Sequence, residues 1–128
     1  MRPTVDEWAL GLARAVATRA DCSRRRVGCV VLDEACRVVA TGYNGAPAGD
    51  PGCLDGHCPR GRLTYDQLAE HTDYDTGPGR CVAVHAEMNA LLWARQSVAG
   101  ATVYITDPPC PGCAKHLTAA GVARVVHP

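Results

Sequence analysis

The sequence predicts a three-layer α/β/α sandwich, a mixed sheet covered by helices on both faces. Three observations carry this. The runs "RVGCVVLD" and "CRVVATG" flank a turn around residues 33–35 and read as an antiparallel hairpin. Towards the C-terminus, "ATVYIT", "PGCAKHLTAAG" and "VARVVH" alternate strand, helix and strand, which implies a parallel pair joined by a crossover helix. Helical stretches before and between the strands supply the covering layers.

Taken in order, residues 4–18 form the first helix. Thr4 and Glu7 have capping-box spacing, and Val5, Trp8, Ala9, Leu12 and Val16 recur at helical intervals. In the hairpin, Cys29 and Cys36 fall within the two strands and read as small apolar core residues. Residues 45–80 are rich in Gly, Pro and Asp, with too little apolar periodicity for core and too much length for a simple connection. Such a loop carries function or is pinned by something; a short helix around 64–70 interrupts it. A helix over 86–96 follows, offering Met88, Leu91, Leu92 and Trp93 for burial. The last helix is ended by Gly121 before the final strand. With no repeat and no low-complexity tract, residues 1–128 read as a single domain.

Composition narrows the function classes. The chain is 47% hydrophobic and 20% charged, as ordinary soluble proteins are. Its formal net charge is zero, so nothing favours a polynucleotide or an anionic membrane as partner. A small phosphorylated ligand needs only one or two well-placed arginines. No apolar run approaches the roughly 20 residues of a membrane span, and "MRPTVDEW" lacks the apolar core of a signal peptide. A cytoplasmic location is the expectation. Eight cysteines in a reducing compartment read as metal ligands rather than disulfides.

Two short motifs carry the chemistry: "VHAEMNA" and "PPCPGC". His85, Cys110 and Cys113 make a three-ligand zinc set that leaves a fourth position for water. Both motifs fall where a helix begins, where exposed N–H groups and the dipole favour thiolates. Pro111 suits a first-turn position. Glu87 lies two residues beyond His85, beside the metal and not on it, placed to move a proton. Alone, His-x-Glu says little, and Cys-x-x-Cys also fits a redox pair or half of a structural site. The joint pattern H-x-E…P-C-x-x-C is the one by which zinc deaminases are identified.

Beyond these residues, "CSRRRVGCVVLD", "VATGYNGAPAG", "HAEMNALL" and "ATVYITDPPCPGCAKHLTAAGVARVV" resemble the deoxycytidylate (dCMP) deaminase family of the zinc-dependent cytidine deaminase superfamily. The likeness spans most of the chain and is poor only around residues 59–80. It implies a cytidine deaminase-like sandwich and hydrolysis of dCMP to dUMP and ammonia, with Glu87 carrying the proton to N3 and then to the departing amine. Asn44, in "GYNG", resembles the family's sugar-binding asparagine, although Asn-Gly after a strand also makes a tight turn. Tyr43 and Trp93 are candidates to line the pocket; Trp93 fits plain core equally well. The family's phosphate-binding arginine on the catalytic helix falls in register at Gln96, with Arg95 adjacent. Arg24, Arg25 and Arg26 of "SRRRVG" offer a replacement, and Arg26 is taken as the contact; a solvated basic turn is the commoner role of such a run.

Cys22, Cys53, Cys58 and Cys81 remain. "CLDGHC" has the wide end of structural-zinc spacing, and some dCMP deaminases carry a second, structural zinc from comparable regions. Such a metal would tie residues 45–80 to the core, with His57 or His71 as alternative ligands. Family members usually continue past this chain's last strand into another helix and often a fifth strand, which leaves pocket closure and subunit contacts open here. A homo-oligomer is expected. Other readings are a deaminase of a nucleoside, free base, nucleoside antibiotic or polynucleotide, and a non-catalytic zinc module, which needs no Glu87.

Overall fold

Alternation along one strand divides the core in two. In the computed structural model, which describes residues 1–69 and 73–128, the strand β1 (Gly28–Leu32) is buried throughout. Cys29 and Val31 join one apolar cluster and Val30 and Leu32 another, as the two-residue period of a strand requires. Beside it run β2 (Val38–Tyr43), β3 (Thr102–Ile105) and β4 (Arg124–Val126), in the order β2-β1-β3-β4. β1 is antiparallel to both β2 and β3, while β3 and β4 are parallel. This is the mixed sheet that the hairpin and the C-terminal crossover predict.

The helix α1 (Val5–Ala17) covers one face, with Ala9 and Ala13 packed on Val30, Leu32 and Tyr104. On the other face α3 (Ala86–Trp93) and α4 (Pro111–Ala119) bring Ala86, Ala90 and Leu117 onto Cys29, Val31, Val103 and Ile105. Two glycines set how closely the helices approach. A Cβ on Gly28 would lie 2.0 Å from the Ala13 carbonyl oxygen, and one on Gly42 would lie 2.2 Å from that of Ala86. Alanine on the helix facing glycine on the strand therefore brings α3 directly onto β2, which fixes where its first turn lies. The Tyr104 hydroxyl donates to Asp6 Oδ1 at 2.7 Å, and Arg124 Nη1 reaches the same oxygen at 3.0 Å, tying α1 to β3 and β4. Among the described residues no helix is long and apolar enough to cross a membrane.

Two expectations are corrected. Cys36 is exposed and not core: Asp33 Oδ1 accepts the N–H groups of Ala35 and Arg37, both at 2.9 Å, so the turn takes up residues that the strand pattern assigned to β2. Cys36 then lies in the left-handed region, at φ 60°. The helix over 86–96 stops at Trp93, where Ala94 turns extended, and Leu92 and Trp93 are 66% and 71% exposed. The face that meets the sheet is made of Ala86 and Ala90, since only small side chains fit over Gly42.

The described part of residues 45–80 contains two 3₁₀ turns, Cys53–Asp55 and Arg60–Arg62, and the four-residue helix α2 (Tyr65–Leu68). Thr64 caps α2 in a reciprocal box with Gln67, with bonds of 3.2 and 2.8 Å. The expected helix around 64–70 is thus present; Glu70 lies outside the described residues. The loop is tied down at separate points. Leu54 N–H donates to Asp21 Oδ1 at 2.8 Å and Ser23 N–H to Cys53 Sγ at 3.4 Å, while within the loop Arg60 N–H donates to the Arg80 carbonyl at 3.0 Å.

Candidate metal centre

Two helix starts converge on the same end of the sheet. Val84 pairs with Gly45 at the end of β2 through bonds of 2.8 and 3.2 Å, which anchors the residue just before His85. His85 is the N-cap of α3, with extended backbone, and its carbonyl accepts the Asn89 N–H at 2.9 Å. Asn89 Nδ2 donates in turn to the Tyr43 carbonyl at 2.8 Å, stapling the first turn of α3 to β2. Cys110 is likewise the N-cap of α4: its Sγ accepts the Cys113 N–H at 3.4 Å and Pro111 occupies the first turn. Helix-start chemistry thus places both motifs as their sequences predict.

His85 Nδ1 lies 3.5 Å from Cys110 Sγ and 3.3 Å from Cys113 Sγ. Among the described residues, these three are the one group of His, Cys, Asp or Glu whose donor atoms all lie within 4.8 Å of one another. A tetrahedral zinc with bonds of about 2.3 Å to sulfur and about 2.0 Å to nitrogen requires N–S edges of about 3.5 Å. The donor set has those edges. Burial, and then the nearby Glu87 carboxylate, push the Cys113 thiol well above the ordinary range, so a pair of thiolates here needs a cation to hold its charge. Zinc fits both the spacing and the charge. Glu87 is buried at 5% exposure and hydrogen-bonds the Cys113 side chain, next to the ligands without being one of them in this arrangement.

A cavity of about 470 Å³ opens over the centre, lined there by His85, Glu87 and Cys110. Its size falls within the range of about 300–1,000 Å³ of small-molecule sites. The long loop supplies much of the opposing wall. The Tyr74 ring meets the His85 ring edge-on at 5.7 Å, and the Arg60 guanidinium lies 4.1 Å over Tyr74. Tyr65 and Arg24 form a second stack at 4.7 Å. Arg25 faces Asp107 at 3.6 Å, three residues before Cys110. Sequence reasoning passed over Tyr65, Tyr74 and Arg60, which stand in an unperiodic loop; only the aromatic residues in a polar stretch hinted at them.

The other candidates divide. Asn44 lines the cavity, and its side chain braces the loop before β1: Oδ1 accepts the Val27 N–H at 2.8 Å and Nδ2 donates to the Arg25 carbonyl at 2.9 Å. Tyr43, one residue earlier on β2, is not among the lining residues, because successive strand residues face opposite ways. Trp93 is neither lining nor core, since α3 buries its alanine face. Arg26 is exposed, directed to the Thr18 carbonyl at 3.5 Å, and outside the lining; Arg24 and Arg25 take its place there. Arg95 and Gln96 are exposed beyond the end of α3 and do not reach the cavity.

Cys22, Cys53, Cys58 and Cys81 all line the same cavity, although their sulfurs are not drawn together as tightly as the His85 group. Cys22 Sγ accepts the N–H groups of Arg24 and Arg25, both at 3.4 Å. Burial pushes the Cys81 thiol up to about 11, and the neighbouring Cys58, to which it is hydrogen-bonded, adds to this. Burial also works against a Cys58 thiolate, but hydrogen bonds from the Val82 and Gly61 backbone and the Cys81 thiol outweigh it and hold Cys58 below the usual range. His57 is exposed, and His71 lies outside the described residues.

Comparison with known proteins follows the geometry. Residues 3–127 match the family model for the cytidine and deoxycytidylate deaminase zinc-binding region. The chain is 51% identical to the deoxycytidylate deaminase of Mycobacterium phage D29, over 99% of this chain and 96% of that one. It is 41% identical to the deoxycytidylate deaminase of Saccharomyces cerevisiae, covering 99% of this chain but 38% of the yeast protein. Among solved structures, dCMP deaminase from the cyanophage S-TIM5, in complex with dCMP and dUMP, superposes with a TM-score of 0.73 at 28% identity, over 99% of this chain and 82% of that one. The chain therefore belongs to the zinc-dependent cytidine and deoxycytidylate deaminase family.

Proposed function

We propose that residues 1–128 act as one deaminase domain that hydrolyses dCMP to dUMP and ammonia. The observation that carries the reading is the His85–Cys110–Cys113 triangle with buried Glu87 beside it, opening into a cavity that also holds arginines. The relatives named above support the choice of dCMP.

When bound by His85, Cys110 and Cys113, zinc supplies a Lewis acid that brings the pKa of water down to about 7. Glu87 takes a proton from the attacking water and delivers it to N3 of the cytosine ring. It then takes the remaining proton from the hydroxyl group added at C4 and gives it to the amino group, so that the C4 carbonyl forms as the C–N bond breaks, water is consumed and ammonia is released. Asn44 binds the sugar through the second Nδ2 hydrogen, the first being committed to the Arg25 carbonyl. Because Asn44 also fixes the arginine loop, sugar and phosphate recognition are built on one side chain.

We also propose that Cys22, Cys53, Cys58 and Cys81 hold a second, structural zinc. Their convergence on one cavity wall supports this, as do the N–H bonds to Cys22 and the lowered Cys58 thiol. The eight free cysteines suit a cytoplasmic setting, and exposed Leu92, Trp93 and Val125 suit burial in a homo-oligomer. Steady-state deamination of dCMP against deoxycytidine tests the main reading: dCMP is expected to be used at least tenfold more efficiently, roughly one charge-assisted contact. Equal use of both, or of neither, would overturn it.

A further inference from the structure

We infer that Asp21 is a positioning residue for substrate binding, the joint at which the loop wall of the cavity is set against the strand end that carries Asn44. The inference rests on reading Asn44 as the sugar contact. Asp21 follows α1 and is half-buried. Its N–H donates to the Asn44 carbonyl at 2.9 Å, and its Oδ1 accepts the Leu54 N–H at 2.8 Å. A Cβ on Gly45, next to Asn44, would stand 3.5 Å from that of Asp21. One residue therefore meets the segment after β2 twice: at Asn44 and Gly45, where it leaves the sheet, and at Leu54, beside Cys53.

Gly52 shows how close this fit is. Its φ of −111° is open to any residue, so the backbone conformation does not call for glycine there. Asp21 does: a Cβ on Gly52 would run into the carboxylate, 2.6 Å from Cγ. Ser23 adds a second attachment, its N–H at 3.4 Å and its hydroxyl at 3.3 Å from Cys53 Sγ. Residues 21–23 thus grip residues 52–54, while the Asn44 side chain holds Arg25 and Val27 further along the same segment. The loop so placed brings Tyr65 and Tyr74 to the cavity wall. Loosening the joint moves that wall relative to Asn44. It leaves the metal centre in place, because Val84, Gly45 and Asn89 hold the start of α3. Loss of the carboxylate therefore weakens the hold on the substrate and spares the chemical step.

Asp21→Ala keeps the main-chain bond to Asn44 and removes only the carboxylate. KM for dCMP should rise about three- to tenfold, the range of one hydrogen bond, with kcat within about twofold of the wild type. Asp21→Asn retains an acceptor for the Leu54 N–H and should restore the wild-type KM. Gly52→Ala should raise KM as Asp21→Ala does. The double variant should be no worse than either single one, because removing the carboxylate makes room for the methyl group. A further measurement needs no variant and decides where one fails to fold. Leu54 lies outside the cavity lining, so its amide hydrogen exchange, followed by NMR in the zinc-loaded protein, should slow with dUMP only through this joint, and not with inorganic phosphate. A wild type that does not deaminate dCMP overturns the substrate reading and this assignment together. With an active wild type, the assignment alone falls if Asp21→Ala leaves KM unchanged or lowers kcat as far as kcat/KM, or if Asp21→Asn fails to restore KM. It falls equally if the two single effects multiply in the double variant, or if dUMP leaves the Leu54 exchange unaltered.

Discussion

Cysteines stand on two sides of one cavity, and the two sides are built differently. Cys110 and Cys113 belong to a helix start held against the sheet, with His85 at the start of a second helix whose position Gly42 and Ala86 fix. Cys53, Cys58 and Cys81 belong to a loop segment joined to the rest by scattered single bonds, and Cys22 to the turn after α1. On the first side the backbone places the ligands and the metal follows. On the second, the ligands have to place the backbone, so a metal there acts on folding before it acts on chemistry. This difference ranks what substitutions on each side should do.

The largest effect should come from Glu87→Gln, which removes the proton carrier and keeps shape and polarity. Turnover of dCMP should fall by about 10²–10⁴-fold, the range of general acid–base catalysis, while metal analysis still finds the catalytic zinc. Loss of that zinc would make Glu87 a ligand, and near-normal rates would remove it from the reaction. Either result breaks the claim that backbone placement alone sets up the first side.

Next comes the loop side. Cys53→Ser should lower metal content from about two zinc per chain to about one, and limited proteolysis should then cut within residues 45–80 and not within α1 or the sheet. Activity should fall with it, because Tyr74 and Tyr65 are carried on this segment. A wild-type content near one, with Cys22, Cys53, Cys58 and Cys81 all freely alkylated in the folded protein, would sink the second zinc.

What was legible in the sequence follows the same division. His85 and Cys110 as helix caps, Pro111 in the first turn and Thr4 ahead of α1 are local rules, and the structure obeys each. The unbroken apolar run of β1 reads directly as a buried strand, and the hairpin and the crossover give two of the three strand pairings; that β1 lies beside β3 is seen only in the structure. Tyr43, Trp93 and Arg26 lie outside the cavity lining, and this depends on which way each side chain turns after packing. A Gly–Ala contact between β2 and α3, far apart in sequence, decides that Ala90 and not Trp93 faces the sheet. Cys36 was lost to the Asp33 side chain, which outcompetes the strand pattern locally.

That Gly–Ala contact gives the third prediction. Gly42→Ala drives a methyl group into the Ala86 carbonyl, and Gly28→Ala does the same to Ala13 on the opposite face. Each should destabilise by about 1–3 kcal/mol, the usual cost of overpacking. Only Gly42→Ala moves the first turn of α3, and with it His85 and Glu87. Thermal melts of the two should therefore be similar, while dCMP turnover should drop further in Gly42→Ala than in Gly28→Ala. Equal activity losses would mean that α3 can shift without disturbing the centre.

The smallest effect expected is at Tyr74, the one described aromatic ring of the loop in contact with a ligand of the metal. Its edge-on contact with His85 at 5.7 Å joins the two sides of the cavity directly, and the Arg60 guanidinium, 4.1 Å over the Tyr74 ring, holds it there. An aromatic pair of this geometry contributes about 0.5–1.5 kcal/mol, so Tyr74→Leu should lower kcat/KM for dCMP by roughly two- to tenfold. Tyr74→Phe keeps the ring and should stay near the wild type, since the contact is made by the ring and not the hydroxyl. Zinc content should not change in either variant, because His85 is positioned by Val84, Gly45 and Asn89. If Tyr74→Leu is indistinguishable from wild type, the loop reaches the reaction only through its cysteines, and the two sides are coupled by metal alone. If it releases zinc, the first side depends on the loop after all, and the contrast between a backbone-placed and a ligand-placed wall fails.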